Sequence, residues 1–185
     1  MTQALPFVVR VTQDAVRLMQ DAGRAALPRE TGVILVGFRA DDQVVITRAL
    51  LVHDPASTRY DYELKTDTAR TQLAALRRDA PDVVGYVGDW HTHPANVPPS
   101  RTDISSLKAA SRRATDTLVL LIVSFRGNEV GPLYASVARR HDGGRSWKLP
   151  KIDISTPAVE ISQEESSNLE QCAQIAWVED EDHEP

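Results

Sequence analysis

The order of apolar and polar positions in the first third of the chain predicts a strand, a helix and then a hairpin. Phe7–Val11 is short and rich in valine, which indicates an edge strand. Apolar residues recur at helical spacing over residues 12–27, and a proline ends that helix. Residues 30–38 are almost continuously apolar, as is typical of a buried central strand, and residues 44–52 form its hairpin partner.

The next hundred residues continue the mixture of strands and helices. The pattern predicts a helix over 66–79, a strand over 83–91, a helix capped by Ser100 or Thr102, and strands over 117–124 and 131–139. The central strands are interpreted as hairpin neighbours. The predicted fold class is therefore α+β, with helices flanking a mixed sheet.

The composition changes near Pro150. Residues 1–150 are predicted to form one domain, a normal size for a single hydrophobic core. Residues 151–185 are rich in Ser, Glu and Gln and are predicted to form an acidic, flexible C-terminal tail, in which residues 169–176 could form a short amphipathic helix.

Composition narrows the class of protein. The chain is 42% hydrophobic and 25% charged, as in ordinary soluble globular proteins. Its single cysteine, Cys172, excludes an intrachain disulfide and a cysteine-rich zinc site. The N-terminus lacks a signal-peptide pattern, and the longest apolar run, Leu118–Val123, is too short to span a bilayer. These features predict a cytoplasmic protein that does not bind membranes.

Charge is distributed unevenly along the chain. Ten of the 26 acidic residues follow Lys151, whereas all 21 basic residues lie within the first 151 positions, which leaves a body with a balance of +5. No basic cluster is interleaved with aromatic residues, so no nucleic-acid partner is predicted. The basic body would instead face an acidic partner or its own tail.

A cluster of candidate metal ligands follows the strand predicted over residues 83–91. His91 and His93 are one residue apart on an extended segment, so both imidazoles should point to the same side. Asp103 follows a proline-rich turn that could fold it back towards the pair. Two nitrogen ligands and one oxygen ligand are typical of catalytic zinc, which keeps its fourth position for water. The hypothesis is one Zn²⁺ per chain.

Zinc hydrolases also need a group that moves protons, and Glu30 is the candidate. It lies at the start of the buried strand predicted over residues 30–38. A charged residue at this position is either a surface residue that caps the strand or a functional group, and the strand pattern does not decide between them.

The combined motif resembles that of the JAMM metalloproteases, the JAB1/MPN/Mov34 family. That family has a distant Glu, then His-X-His-Pro, then Ser-X-X-Asp. Here the motif is Glu30-Thr31-Gly32, His91-Thr92-His93-Pro94 and Ser100-Arg101-Thr102-Asp103, with five residues between Pro94 and Ser100. The likeness covers about residues 7–140 and implies a single domain with a curved mixed sheet and cytidine deaminase-like topology.

The resemblance also implies a role for each residue of the motif. His91, His93 and Asp103 would be the zinc ligands, Glu30 the general base and then the general acid, and Ser100 the donor to the developing oxyanion. Because every motif position is filled, the inactive scaffold members of the family, which lack ligands, match poorly.

The implied function is a zinc-dependent isopeptidase or peptidase that cleaves after the C-terminus of a ubiquitin-like or conjugated protein. In the sequence of its motif and in its compact size, the chain resembles prokaryotic members of the family, which accompany E1-like and E2-like enzymes. Some belong to antiphage operons with cyclic-oligonucleotide signalling, where they release a nucleotidyltransferase from its conjugates. Three alternatives stay open: a processing protease for ubiquitin-like sulfur-carrier precursors, a non-catalytic interaction module, and a metal-dependent hydrolase of small molecules.

Overall fold

A computed structural model describes residues 7–40, 42–51, 71, 73–76, 78, 80–114, 116–141 and 150–181. The strands are β1 (Val8–Thr12), β2 (Gly32–Ala40), β3 (Gln43–Ala49), β4 (Gly85–His93), β5 (Leu118–Arg126), β6 (Glu129–His141), β7 (Lys151–Ser155) and β8 (Ala158–Ser162). The helices are α1 (Gln13–Ala26), α2 (Arg101–Arg113) and α3 (Ser166–Glu181). No helix of the described residues is long and apolar enough to cross a membrane.

All eight of these strands belong to one mixed sheet with the order β7-β6-β5-β4-β2-β3-β1-β8. The pairs β4–β5, β1–β3 and β1–β8 are parallel, and the other pairs are antiparallel. The predicted α+β class with a mixed sheet is confirmed.

The sheet is strongly curved. Strands β7 and β8 lie at opposite ends of the hydrogen-bonded order, yet only Thr156 and Pro157 connect them. Three steps between Cα atoms of ~3.8 Å each allow a separation of at most ~11 Å between Ser155 and Ala158. The two edges of the sheet therefore approach each other.

Helix α1 lies inside this curve and packs against β1 to β5 and β8. Thr12 is its N-cap and accepts a hydrogen bond from the backbone N–H of Ala15 at 3.4 Å. The apolar face of α1, with Ala15, Val16 and Met19 buried, meets the inner face of the sheet. The helix predicted over residues 12–27 is confirmed.

Two helical segments cover the outer face of the sheet. Leu107 of α2 packs on Leu118, Leu120 and Ile122 of β5, whereas Val119 and Leu121 of the same strand face the α1 side. Because both faces of β5 are covered, its sequence is continuously apolar. The helical residues 73–76 pack beside β2 and β4, and the rest of the helix predicted over 66–79 lies partly outside the described residues.

The segment predicted to be an acidic, flexible tail contains regular secondary structure. Over its described part, residues 151–181, the segment adds β7 beside β6, β8 beside β1, and helix α3. Since β8 pairs with β1, β1 has strands on both sides, and its prediction as an edge strand is wrong. The division of the chain at residue 150 stays a prediction.

Candidate metal centre

The candidate metal centre lies at the carboxyl end of β4, where the chain leaves the sheet and returns as α2. Strand β4, helix α2 and strand β5 form a crossover unit between parallel strands. His91 and His93 project from the face of β4 opposite to Trp90, which is fully buried among the residues that pack on α1. The two imidazoles therefore lie on the α2 side of the sheet.

The side chains of the predicted ligands converge. The Nε2 atoms of His91 and His93 are 3.1 Å apart. Asp103 Oδ1 lies 3.2 Å from His91 Nε2, and Asp103 Oδ2 lies 3.4 Å from His93 Nε2. One potential ligand atom from each residue lies within 4.8 Å of the others.

A backbone carbonyl sets the orientation of the His93 ring. His93 Nδ1 lies 3.2 Å from the carbonyl oxygen of Val97, in the loop that follows β4. In the neutral ring, Nδ1–H donates to this oxygen, so the lone pair of the ring is on Nε2, which faces Asp103. Metal-binding histidines commonly have such a partner on their second nitrogen.

The first turn of α2 delivers the carboxylate. Ser100 is the N-cap, and its hydroxyl oxygen accepts from the backbone N–H of Asp103 at 3.2 Å. Asp103 Oδ2 in turn accepts from the backbone N–H of Ser100, which completes a capping box. Ser100, rather than Thr102, is thus the cap, and the same motif orients Asp103 towards the histidines.

The electrostatics of the cluster keep Asp103 ionised. Burial opposes ionisation, but hydrogen bonds with His91, His93 and Ser100, together with the charge of His91, hold the pKa of Asp103 well below its ordinary range. Burial also acts to lower the pKa of His93, but hydrogen bonds with Asp103 and the Val97 carbonyl and the charges of Asp103 and Glu30 outweigh it, so this pKa is raised. The site therefore offers a carboxylate at neutral pH.

Glu30 is held next to the same end of β4. The backbone N–H of Thr92 donates to the Thr31 carbonyl at 2.8 Å, and the N–H of Thr31 donates to the Thr92 hydroxyl at 3.0 Å. Gly32 is paired with His91, so continuing this antiparallel register places Glu30 opposite His93. Glu30 is half-buried, and its charge is felt by His93.

Gly32 allows β2 to approach the ligand strand closely. A Cβ atom at this position would lie 2.0 Å from the Trp90 carbonyl oxygen and 2.7 Å from His91 Cβ. Any side chain would therefore push β2, and Glu30 with it, away from the ligands.

The donor set suits a zinc ion. Two imidazole nitrogens and one carboxylate leave a fourth position open, which is the usual composition of a catalytic zinc site. His91, His93 and Asp103 have side chains that are 12%, 8% and 15% exposed, so the cluster is sheltered but reachable.

Sequence reasoning missed Val97 and Asp89. Val97 acts through its backbone carbonyl, which leaves no signal in the sequence. Asp89 precedes His91 by two residues, and its Oδ1 is buried without a hydrogen-bond partner among the described residues. The sequence could have shown that Asp89 lies near His91, because residues two positions apart in a strand have their side chains on the same face.

Together, the fold and the site define an α+β domain with a three-residue cluster able to hold a metal at the end of a central strand. A family model described as prokaryotic homologs of the JAB domain matches residues 12–149. The chain belongs to this family, and the resemblance seen in the motif is confirmed.

Two similar proteins add to this assignment. An Escherichia coli protein named "CD-NTase/cGAS isopeptidase" is 31% identical over 104 residues, which cover 55% of this chain and 66% of that protein. The match thus spans just under two thirds of the relative. The solution structure of protein DSY2949 from Desulfitobacterium hafniense aligns with a TM-score of 0.62 at 17% identity, over 87% of this chain and 97% of that one. The second match supports the fold alone.

Proposed function

We propose that this protein is a zinc-dependent isopeptidase or peptidase that hydrolyses the bond after the C-terminus of a ubiquitin-like or conjugated protein. The observation that carries the proposal is the convergence of ligand atoms from His91, His93 and Asp103 within 4.8 Å. Glu30, two residues before the neighbouring strand β2, supplies a carboxylate next to this cluster.

In this proposal, His91, His93 and Asp103 hold one Zn²⁺. When bound there, zinc would supply Lewis-acid chemistry: a water of lowered pKa and a polarised scissile carbonyl. Glu30 takes the proton from the attacking water and later gives it to the leaving amine, so it acts first as base and then as acid. The new C–O bond forms first, which places negative charge on the carbonyl oxygen, and the C–N bond breaks when Glu30 protonates the leaving amine.

Ser100 is suited to stabilise the oxyanion. Within the capping box its oxygen accepts a hydrogen bond, so the cap does not use its O–H as a donor. Ser100 is also exposed, and its hydroxyl therefore remains able to donate to a substrate oxygen. Removing a donor of this kind from an oxyanion site typically costs ~2.7–4 kcal/mol of barrier.

The relative from Escherichia coli supports a more specific substrate. That protein is named an isopeptidase, with CD-NTase/cGAS as the qualifier in its name. By analogy, the proposed substrate of this chain is a nucleotidyltransferase conjugated through its C-terminus in antiphage defence. E1-like and E2-like enzymes of the same operon would then make the conjugate, and the proposed location is the cytoplasm.

Replacing Glu30 by Gln separates an enzyme from a non-catalytic module. The variant should bind one zinc per chain but cleave about 10²–10⁴-fold more slowly, because the proton shuttle is lost. The assay uses a nucleotidyltransferase fused at its C-terminus to a reporter, with metal content measured in parallel. Glu129→Gln, at an exposed position of the β5–β6 hairpin, is the matched control. Equal cleavage by Glu30→Gln and the wild type would refute the role of Glu30.

A further inference from the structure

The loop between β4 and α2 is held at its centre by a polar contact outside the ligand cluster. Asn96 Oδ1 accepts from the hydroxyl of Tyr134 at 3.2 Å and lies 3.4 Å from the hydroxyl of Ser124. The Ser124 hydroxyl is closer to the Pro132 carbonyl, at 2.8 Å, and its one proton favours that acceptor. Tyr134 is therefore the main donor to Asn96.

The strands that carry this contact are β5, which pairs with β4, and β6, which pairs with the other side of β5. Ser124 of β5 is the parallel partner of His93, and Tyr134 of β6 pairs with Ile122. Ser124 is fully buried. The contact thus joins the loop to the rigid part of the sheet.

Asn96 is directly linked to the carbonyl that orients His93. The N–H of Val97 donates to the Ala95 carbonyl at 2.8 Å, which forms a tight turn around Asn96. The carbonyl of Val97 then accepts from His93 Nδ1. A change in the position of Asn96 would move this carbonyl and release the ring.

Burial of apolar surface does little to fix this part of the loop. The side chain of Val97 is 45% exposed, and the neighbouring Ala95 and Pro98 are exposed as well. The fixed φ angles of Pro98 and Pro99 reduce the number of conformations, so a single polar anchor can select one of them.

We propose that Asn96 and Tyr134 are positioning residues, which hold the Val97 carbonyl and thereby keep His93 Nε2 directed at Asp103. The inference deepens the proposed function, on which its metal-affinity part rests. Neither residue contacts the ligand cluster, so both would act through Val97 and His93.

The test compares Asn96→Ala and Tyr134→Phe with the wild type. Zinc affinity is measured by competition with a chromophoric chelator, and each variant should bind about tenfold more weakly, at the lower end of the effect of losing an outer-shell partner. Asn128→Ala, in the exposed turn of the β5–β6 hairpin, is the control and should bind like the wild type. Asn96→Asp keeps an acceptor oxygen and should restore the affinity.

A double variant makes the test specific for the contact. Asn96→Ala combined with Tyr134→Phe should bind zinc no more weakly than the worse single variant, since both changes remove the same hydrogen bond. Additive losses, or affinities within twofold of the wild type, would overturn the proposal.

A second readout requires no metal. Nitrogen NMR of the metal-free wild type should show a hydrogen bond from His93 Nδ1–H to the Val97 carbonyl, and this bond should be lost in Asn96→Ala and in Tyr134→Phe but not in Asn128→Ala. An unchanged Nδ1–H hydrogen bond in the first two variants contradicts the positioning role. If the wild type binds no zinc at all, the proposed function fails, whereas this hydrogen bond still decides the role of Asn96 and Tyr134.

Discussion

At the scale of single residues, Asp103 serves the fold and the proposed chemistry with the same carboxylate. It accepts the backbone N–H of Ser100 in the capping box and faces both histidines. The partial positive charge at the start of a helix also favours an anion there. The position of this proposed ligand is therefore determined by the folding of α2 and requires no metal.

Asp89 differs from Asp103 because its surroundings disfavour its charge. Burial raises the pKa of Asp89 to about 6 from its ordinary value of 3.8, although a hydrogen bond with Tyr86 and the charge of His91 act in the opposite direction. One oxygen of this carboxylate has no hydrogen-bond partner among the described residues. The ionised form of Asp89 is therefore less stable in the folded protein than in the unfolded chain.

A pH dependence of stability follows from this raised pKa. Between pH ~4 and ~6 the folded protein binds the proton on Asp89 more tightly than the unfolded chain, so stability falls as the pH rises through this range. The loss at pH 7 is about 2–3 kcal/mol, at 1.36 kcal/mol for each pKa unit. Asp89→Asn has no carboxyl group to ionise at this position, so the variant should not show this loss of stability. Without metal, its stability relative to the wild type should therefore increase as the pH rises.

Denaturant unfolding of both proteins in a chelator, at several pH values from 4 to 7, measures this difference. The free energy of unfolding of Asp89→Asn minus that of the wild type should increase with pH and level off above pH ~6. A difference that stays constant across the range would mean that Asp89 titrates normally.

At the scale of elements, helix α3 contacts the sheet through an ion pair whose carboxylate, on Glu170, is buried. Glu170 is 2% exposed and accepts from the Thr47 hydroxyl at 2.6 Å. Its two oxygens also accept from Arg48, from Nη2 at 2.6 Å and from Nε at 3.1 Å. The Ser166 hydroxyl donates to the Thr47 carbonyl at 2.7 Å, so the first turns of α3 contact β3 at several points.

Glu170→Gln should destabilise the protein by about 2 kcal/mol, since it removes a bidentate charge-assisted contact but leaves Arg48 partly solvated. The side chain of Arg48 is 39% exposed, which limits the cost. The matched control is Glu160→Gln, because Glu160 pairs with Arg10 at 3.5 Å on the surface. The control should change stability by less than ~0.5 kcal/mol.

Chemical denaturation of the two variants and the wild type under identical conditions measures both losses of stability. The midpoint and the slope m together give each free energy of unfolding. A loss in Glu170→Gln no larger than the loss in Glu160→Gln would show that α3 contributes little to the stability of the domain.

At the scale of the whole molecule, the last two strands pair with β6 and β1 and become the two edges of the sheet. β7 covers the edge of β6 and β8 covers the edge of β1, across a connection of two residues. Exposed strand edges favour aggregation, and this arrangement protects the edges of the family-matched region. The match to the family model ends at residue 149, just before these strands.

The sequence was sufficient to predict those parts of the structure that depend on neighbouring residues. The helical spacing after Thr12 and the i, i+2 spacing of His91 and His93 each predict a local geometry. The capping signal predicted the start of α2, but it left open whether Ser100 or Thr102 is the cap. Neither β7 nor β8 was predicted, although polar and apolar residues alternate throughout Lys151–Ser155 and, after Ala158, through the rest of β8. Their high content of charged and small residues obscured a signal of only five residues each.

Long-range pairing could not be predicted from the same patterns. Thr12 and Ser162 lie side by side because β8 pairs with β1, a contact between distant parts of the chain that no short window of sequence encodes. The hydrogen bond between His93 Nδ1 and the Val97 carbonyl could not be predicted either, since every residue has a carbonyl group. The Glu30 side chain could be linked to the histidines only through the family motif.

The most direct test of the proposed function is metal-dependent cleavage of a protein with a reporter fused to its C-terminus. The metal-loaded wild type should release the reporter, thorough chelation should abolish release, and about one equivalent of Zn²⁺ per chain should restore it. His91→Ala should stay inactive in the same zinc solution. Cleavage that survives both thorough chelation and the loss of His91 would contradict the zinc mechanism.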